Sequence, residues 1–145
     1  MNALFFTNRK NLFALFVGAI AFVWLANNGT RQSPVNHLPV PEVDIAQAKA
    51  LIDSGALVID VRSAEQFAFR HLPGAVLVSL ELLRAGIPPS IAAARDKPVV
   101  VYCNQGLLHG PEATRLLQQA GFTQAVNMRS GIEGWAAAGL PIKSG

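Results

Sequence analysis

Between Asp44 and Pro141, short apolar runs alternate with segments that have the features of capped helices. ALVID (56–60), which ends in the charged Asp60, and VVVYC (99–103) are continuous apolar runs, which is typical of strands buried on both faces of a parallel sheet. AVLVSL (75–80) and TQAVNM (123–128) complete a set of four predicted strands. Strands and helices that alternate at this spacing predict an α/β fold, a small parallel sheet with helices on both faces.

The predicted helices are marked by their ends. Two of them begin with the capping-box spacing, in which glutamine follows the capping residue three positions later. A third helix is predicted with Pro111 near its first position and Gly121 just past its end, and a closing helix ends at Gly139. The two capping-box pairs are Asp44 with Gln47 and Ser63 with Gln66.

The carboxyl ends of the strands carry the residues of chemical interest, because ligands of open parallel sheets bind outside these ends. Cys103, the only cysteine, ends one strand, and Asp60 and Arg62 lie at the end of another. Since Asp60 and Arg62 are two positions apart, their side chains share one side of the strand. An ion pair between them is favoured over direct catalysis.

The loop after Cys103 has the features of an anion site. Gly106 lets the backbone turn inward without Cβ clashes, and the loop leads into a helix N-terminus, where N–H groups attract negative charge. A sulfur anion on Cys103 would be stabilised there, which favours a nucleophile. Local features leave an equal alternative, in which Cys103 is a small core residue. For His109, a solvated or capping role is favoured over catalysis.

Composition argues against several classes of site. A single cysteine rules out an intramolecular disulfide and a cysteine-based structural zinc site. The histidines His37, His71 and His109 lie in separate segments, so we predict no metal site and no cofactor. The Lys and Arg residues are dispersed and give a net charge of only +3, which argues against nucleic-acid binding.

Residues 1–26 are predicted to form a signal-anchor or a signal peptide. Leu12 to Ala26 is a run of fifteen residues without a polar side chain. As a helix it is about 22 Å long, against a hydrocarbon core of about 30 Å. Arg9 and Lys10 precede the run, which keeps this end in the cytoplasm. Trp24 stands where cleavage after Ala26 would need a small residue, which favours an uncleaved anchor.

The remainder divides into a linker and a domain. Residues 27–43 contain three prolines among polar residues and are predicted to be a linker that holds the domain away from the membrane. The folded domain is predicted over residues 44–143.

Three segments together resemble the single-domain rhodanese family of sulfurtransferases. VIDVRSAEQFAFRHLPGAVLVSL (58–80) is similar to the D-V-R, E-F and H-I-P-G-A pattern of that family. VVVYCNQG (99–106) is similar to its active-site strand and C-x-x-G loop, and SGIEGWAAAGLPI (130–142) to its closing G-G-x-x-x-W-x-x-x-G-x-P pattern. The layout with an export segment is similar to periplasmic members. This implies a domain anchored to the inner membrane on the periplasmic side, or exported to the periplasm if the segment is cleaved.

The resemblance implies a mechanism. Cys103 would take the outer sulfur of a donor such as thiosulfate or a polysulfide and hold it as a persulfide. It would then pass the sulfur to a thiophilic acceptor, which is cyanide, a small thiol or a thiol-bearing protein. Asp60 and Arg62 would support the site structurally. The residues implied to bind substrate are Asn104, Gln105, Gly106, Leu107, Leu108 and His109.

The loop departs from the family pattern at two positions. Leu108 stands where many active members have a basic residue, and Asn104 where arginine is common. Leucine cannot form the paired charge-assisted bonds that a guanidinium makes with a sulfonate. Thiosulfate is therefore expected to be a poor donor, with Arg129 a candidate source of positive charge. The alternative is a catalytically weak sulfur-carrier or partner-binding module, which an exposed Leu107 and Leu108 would favour.

Another reaction class is disfavoured by the same loop. Cysteine phosphatases of related fold use a C-x5-R loop, and this chain has His109 at the arginine position. A phosphoryl transition state without that guanidinium would be poorly stabilised.

Overall fold

Five strands form one sheet in the computed structural model, which describes residues 39–145. The order across the sheet is β1-β5-β4-β2-β3, and every neighbouring pair is parallel. The fold class predicted for the domain, a small parallel sheet with flanking helices, is confirmed. The strands are β1 Glu42–Val43, β2 Leu57–Asp60, β3 Val76–Leu77, β4 Val99–Tyr102 and β5 Ala125–Met128.

Helices connect the strands, and their ends follow the predicted capping signals with one exception. Both capping boxes are formed, at Asp44 and at Ser63, and Gly121 follows the helix end with φ of +97°. Pro111 is the third residue of its helix rather than the first, because the helix begins at His109. Proline is tolerated there because first-turn N–H groups lack an intrahelical partner. The helices are α1 Ile45–Asp53, α2 Ala64–Phe69, α3 Leu80–Ala85, α4 Pro89–Ala92, α5 His109–Gln119 and α6 Gly131–Ala137.

The strand β4 lies in the middle of the sheet and is completely buried. Val99, Val101 and Cys103 pack on the face covered by α3, α4 and α5. Val100 and Tyr102 pack on the face covered by α1 and α6. Each fully buried valine stabilises the fold by about 1.5–3 kcal/mol. Cys103 therefore comes directly after a strand whose four residues are all fully buried.

The segment predicted as a linker ends in a strand, which corrects its boundary. Glu42 and Val43 pair with Asn127 and Met128, and the N–H of Asn127 donates to the Pro41 carbonyl at 2.9 Å. A strand of two residues is too short to show a hydrophobic period, so the sequence pattern did not indicate it.

The predicted anchor and the linker up to residue 38 lie outside the described residues. Within residues 39–145, no helix combines the length and the apolar character needed to cross a membrane.

Candidate active site

The loop between β4 and α5 forms an open pocket of about 340 Å³ at the carboxyl end of the sheet. Cys103 lies at its base and is 6% exposed, while Leu107, Leu108 and His109 are exposed. Gly106 is buried behind the others and does not line the pocket. The lining residues are Cys103, Asn104, Gln105, Leu107, Leu108 and His109.

The sulfur of Cys103 receives a backbone hydrogen bond. The N–H of Gly106 donates to Cys103 Sγ at 3.2 Å, and a Cβ at Gly110, in the first turn of α5, would lie 3.5 Å from the same sulfur. The sulfur thus lies between the turn of the loop and the beginning of a helix. Backbone donors in such a position stabilise negative charge on sulfur.

Gly106 is required by its conformation and by its surroundings. Its φ is +72°, in the left-handed region that other residues avoid. A Cβ at this position would lie 2.5 Å from the carbonyl oxygen of Met128 and 2.9 Å from the nitrogen of Ser130. The loop therefore packs its backbone directly against the end of β5.

The N-terminus of α6 holds the loop from the other side. The N–H of Ile132 donates to the Cys103 carbonyl, and the N–H of Glu133 donates to the Asn104 carbonyl, both at 3.0 Å. First-turn N–H groups lack partners within their own helix, and here the loop carbonyls satisfy them. A Cβ on Gly131 would overlap these two carbonyls, so glycine permits the close approach.

Asp60 and Arg62 form a buried ion pair behind the loop, as predicted. Arg62 Nη2 donates to Asp60 Oδ2 at 2.7 Å and Nε donates to Oδ1 at 3.0 Å. Burial alone would lower the pKa of Arg62, but the hydrogen bonds and charge of Asp60 outweigh it and leave that pKa raised. The guanidinium also donates to Asn104 Oδ1 at 3.2 Å and to the Arg70 carbonyl at 2.6 Å. The pair therefore supports the cysteine loop through Asn104.

Tyr102 adds a second buried support next to Cys103. Its hydroxyl oxygen accepts a hydrogen bond from the N–H of Leu72 at 3.1 Å, and the guanidinium of Arg62 lies 5.6 Å from its ring centre. Burial and the neighbouring Asp60 carboxylate raise the pKa of Tyr102, so the phenol stays protonated. Tyr102 is thus a structural link between β4 and the turn before β3.

Arg129 and Arg84, both outside the loop, are paired with carboxylates. Arg129 Nε lies 3.4 Å from Glu42 Oε2, and Arg129 is not among the residues that line the pocket. Arg84 on α3 donates two bonds to Glu112 on α5, at 2.7 and 2.9 Å. The pocket lining itself contains no lysine or arginine.

Asn127 is a residue of the site that sequence reasoning missed. It is fully buried on β5, and its Nδ2 donates to the carbonyl of Gly106 at 2.9 Å. The available signal was an amide inside the apolar run AVNM, because a buried polar side chain needs hydrogen-bond partners.

Comparisons with known proteins find related sequences and structures. The family model of the rhodanese-like domain matches residues 44–138. Thiosulfate sulfurtransferase GlpE of Haemophilus influenzae is 32% identical over 106 residues, covering 72% of this chain and 96% of that protein. GlpE of Pseudomonas savastanoi is 38% identical over 92 residues, covering 63% of this chain and 82% of that protein. The structure of the human single-domain sulfurtransferase TSTD1 matches with a TM-score of 0.57 and 29% identity, covering 67% of this chain and 96% of that chain.

Proposed function

The chain belongs to the rhodanese-like domain family, and from this premise we propose that it is a sulfurtransferase in which Cys103 carries the transferred sulfur. The observation that carries the proposal is the bond from the Gly106 N–H to Cys103 Sγ at the base of an open pocket. The relatives named thiosulfate sulfurtransferase support it. The Gly106 N–H supplies a hydrogen-bond donor to negative charge on this sulfur, and His109 lines the same pocket.

The reaction has two displacements at sulfur. The Cys103 thiolate attacks the outer sulfur of the donor, a bond from Sγ to that sulfur forms, and the sulfur–sulfur bond of the donor breaks. The leaving group is sulfite from thiosulfate, or the thiolate RS⁻ from a polysulfide-type donor with a terminal sulfur, an organic persulfide RS–SH. A nucleophilic acceptor, cyanide or a thiolate, then attacks the outer sulfur of the persulfide and releases the Cys103 thiolate.

The charge distribution favours an organic persulfide donor over thiosulfate. The pocket lining places Leu107 and Leu108 beside uncharged Asn104 and Gln105. Arg62 and Arg129, which lie near the loop, are both paired with carboxylates. A dianionic donor would lose hydration in this pocket without gaining a fixed cation. A donor with an apolar substituent would instead contact the two leucines.

The test is mass spectrometry of the full chain, kept in mild detergent because of its apolar N-terminal segment. The reduced protein is exposed separately to thiosulfate and to an organic persulfide RS–SH, and then to cyanide. We expect one added sulfur atom with the persulfide, removed by cyanide. Because Cys103 is the only cysteine, Cys103→Ser is the matched control and gains no sulfur. The proposal would be overturned if the wild-type chain gained no sulfur from any donor although its Cys103 thiol could be titrated.

The exposure of two leucines favours a second candidate, a sulfur-carrier or partner-binding module with little turnover. Leu107 is 68% exposed and Leu108 is 77% exposed, and exposed apolar side chains beside a reactive group are suited to contact another protein. The same samples separate the candidates. A Cys103 persulfide that persists with cyanide and small thiols but is lost to a protein thiol indicates the carrier.

For the N-terminal segment we propose an inner-membrane anchor with the domain on the periplasmic side. The support is the apolar run from Leu12 to Ala26 preceded by Arg9 and Lys10. Carbonate extraction of bacterial membranes and protease access in spheroplasts test it. A full-length chain that is released by carbonate, or protected from protease in spheroplasts, contradicts the proposal.

A further inference from the structure

Asn127 connects three elements beneath the cysteine loop. Its side chain lies on the α5 face of the sheet, two positions after the buried Ala125. Its Nδ2 donates to the Gly106 carbonyl and to Glu42 Oε1, both at 2.9 Å. The amide orientation is determined by these contacts, because the reverse orientation would set its oxygen against two acceptor oxygens.

The oxygen of the same amide lies against the beginning of α5. A Cβ placed on Gly110 would overlap Asn127 Oδ1 and would lie 3.5 Å from Cys103 Sγ. Within the described part of the chain, no group donates a hydrogen bond to this buried oxygen. Asn127 therefore contacts both backbone segments that flank the sulfur, the turn at Gly106 and the first turn of α5.

We propose that Asn127 is a positioning residue for the reacting sulfur: it holds the Gly106 carbonyl and thereby the turn from which the Gly106 N–H reaches Cys103 Sγ. Glycine has the widest backbone freedom of any residue, so the +72° conformation of Gly106 depends on its neighbours. Without Asn127, the Gly106 carbonyl would be left without this partner, and the turn would reorient to find another. The inference rests on the proposed function only in taking Cys103 as the reacting sulfur.

The test compares variants at residue 127 in the full chain. The variants are Asn127→Leu, and Asn127→Ser as a smaller polar change in case the leucine variant does not fold. One control is Glu42→Gln, which keeps an acceptor oxygen for Asn127. The other is Val126→Ala, which weakens packing of the same strand on the opposite face. Thermal unfolding measures the loss of stability in each variant.

The readouts are the rate of Cys103 alkylation by iodoacetamide across pH and the amide NMR signal of Gly106. We expect the Asn127 variants to react about tenfold more slowly at neutral pH, the effect of one lost bond to a charged sulfur. The midpoint pH of their alkylation should rise, and the Gly106 signal should stop responding to thiol ionisation. Both controls should react within about twofold of the wild-type rate, which is a smaller change than the loss of one such bond would cause.

Two results would overturn the inference. One is wild-type alkylation and an unchanged Gly106 signal in a folded Asn127 variant. The other is that Val126→Ala slows Cys103 alkylation as much as the Asn127 variants do at an equal loss of stability. A purely structural role of Asn127 would produce that result. Alkylation requires no sulfur donor, so the result does not depend on persulfide formation. A wild-type chain that forms no persulfide would therefore overturn the proposed function alone.

Discussion

The backbone N–H of Gly106 donates to the sulfur of Cys103 over 3.2 Å, from a residue whose φ is +72°. The two residues are three positions apart, so the donor is supplied by the turn of the loop itself. The position of that turn is set from outside the loop, by the backbone at the end of β5 and by the side chain of Asn127. The environment of the sulfur therefore depends on packing between β4, β5 and the beginning of α5.

A pair of glycine-to-alanine substitutions separates two effects on stability at Gly106, the close packing around it and its left-handed backbone conformation. Gly74 has φ of +74° with no atom near its missing Cβ, whereas at Gly106 the Cβ would lie 2.5 Å from the Met128 carbonyl. Both alanine variants lose about 1–2 kcal/mol of unfolding free energy to left-handed strain. We expect Gly106→Ala to lose more and also to slow Cys103 alkylation. Urea unfolding and alkylation rates measure this, and equal effects of the two variants would contradict it.

Adding a cation at Leu108 should change donor preference. We expect Leu108→Arg to raise the rate of sulfur transfer from thiosulfate on the order of tenfold, the effect of a bond to a charged group. Transfer from an organic persulfide with an apolar substituent should change little. Phe69→Arg is the matched control, because Phe69 is as exposed as Leu108 and does not line the pocket. Steady-state rates with both donors measure the change, and equal gains with both donors would show that missing charge does not limit thiosulfate use.

The buried pair of Asp60 and Arg62 should show strong coupling. Removing one partner leaves the other charge buried and unpaired, so Asp60→Asn or Arg62→Met alone should cost about 3–5 kcal/mol of unfolding free energy. The double variant should cost clearly less than the sum of the two single variants. Chemical unfolding of all four chains gives the coupling. Additive losses would mean that the two side chains do not stabilise each other.

The exposed pair of Arg84 and Glu112 should contribute stability that depends on pH. Hydrogen bonds from Arg84 lower the pKa of Glu112 below its ordinary value of 4.5. A carboxyl with a lowered pKa stabilises the fold at pH values above its ordinary pKa and loses that contribution as the pH falls through the lowered value. Arg84→Gln should therefore unfold at a slightly lower temperature than wild type at neutral pH, and the difference should shrink in acid.

The control for this pH dependence is Glu112→Gln, which has no carboxyl to titrate at that position. In its background, Arg84→Gln should change the unfolding temperature by the same small amount at every pH. A difference between wild type and Arg84→Gln that persists unchanged into acid would exclude the assigned role of Glu112.

Local features of the chain were predictable from its sequence. The valine run of β4, the capping boxes at Asp44 and Ser63, and the loop after Cys103 depend on interactions between residues a few positions apart. The same holds for the ion pair of Asp60 with Arg62. The positions of these elements along the chain, together with the family motifs, were sufficient to predict a parallel α/β domain with Cys103 at a strand end.

Only the tertiary structure decided what surrounds that cysteine. Asn127 and Glu42 are 85 positions apart, and Arg62 and Asn104 are 42 apart, so no local pattern relates them. The strand at Glu42 forms because β5 offers an edge to pair with, and that pairing brings the Glu42 carboxylate to Asn127 and Arg129. The sequence by itself therefore predicted Cys103 as the reacting residue. Packing between distant segments decided which groups position it and left its pocket lined by leucines rather than by a cation.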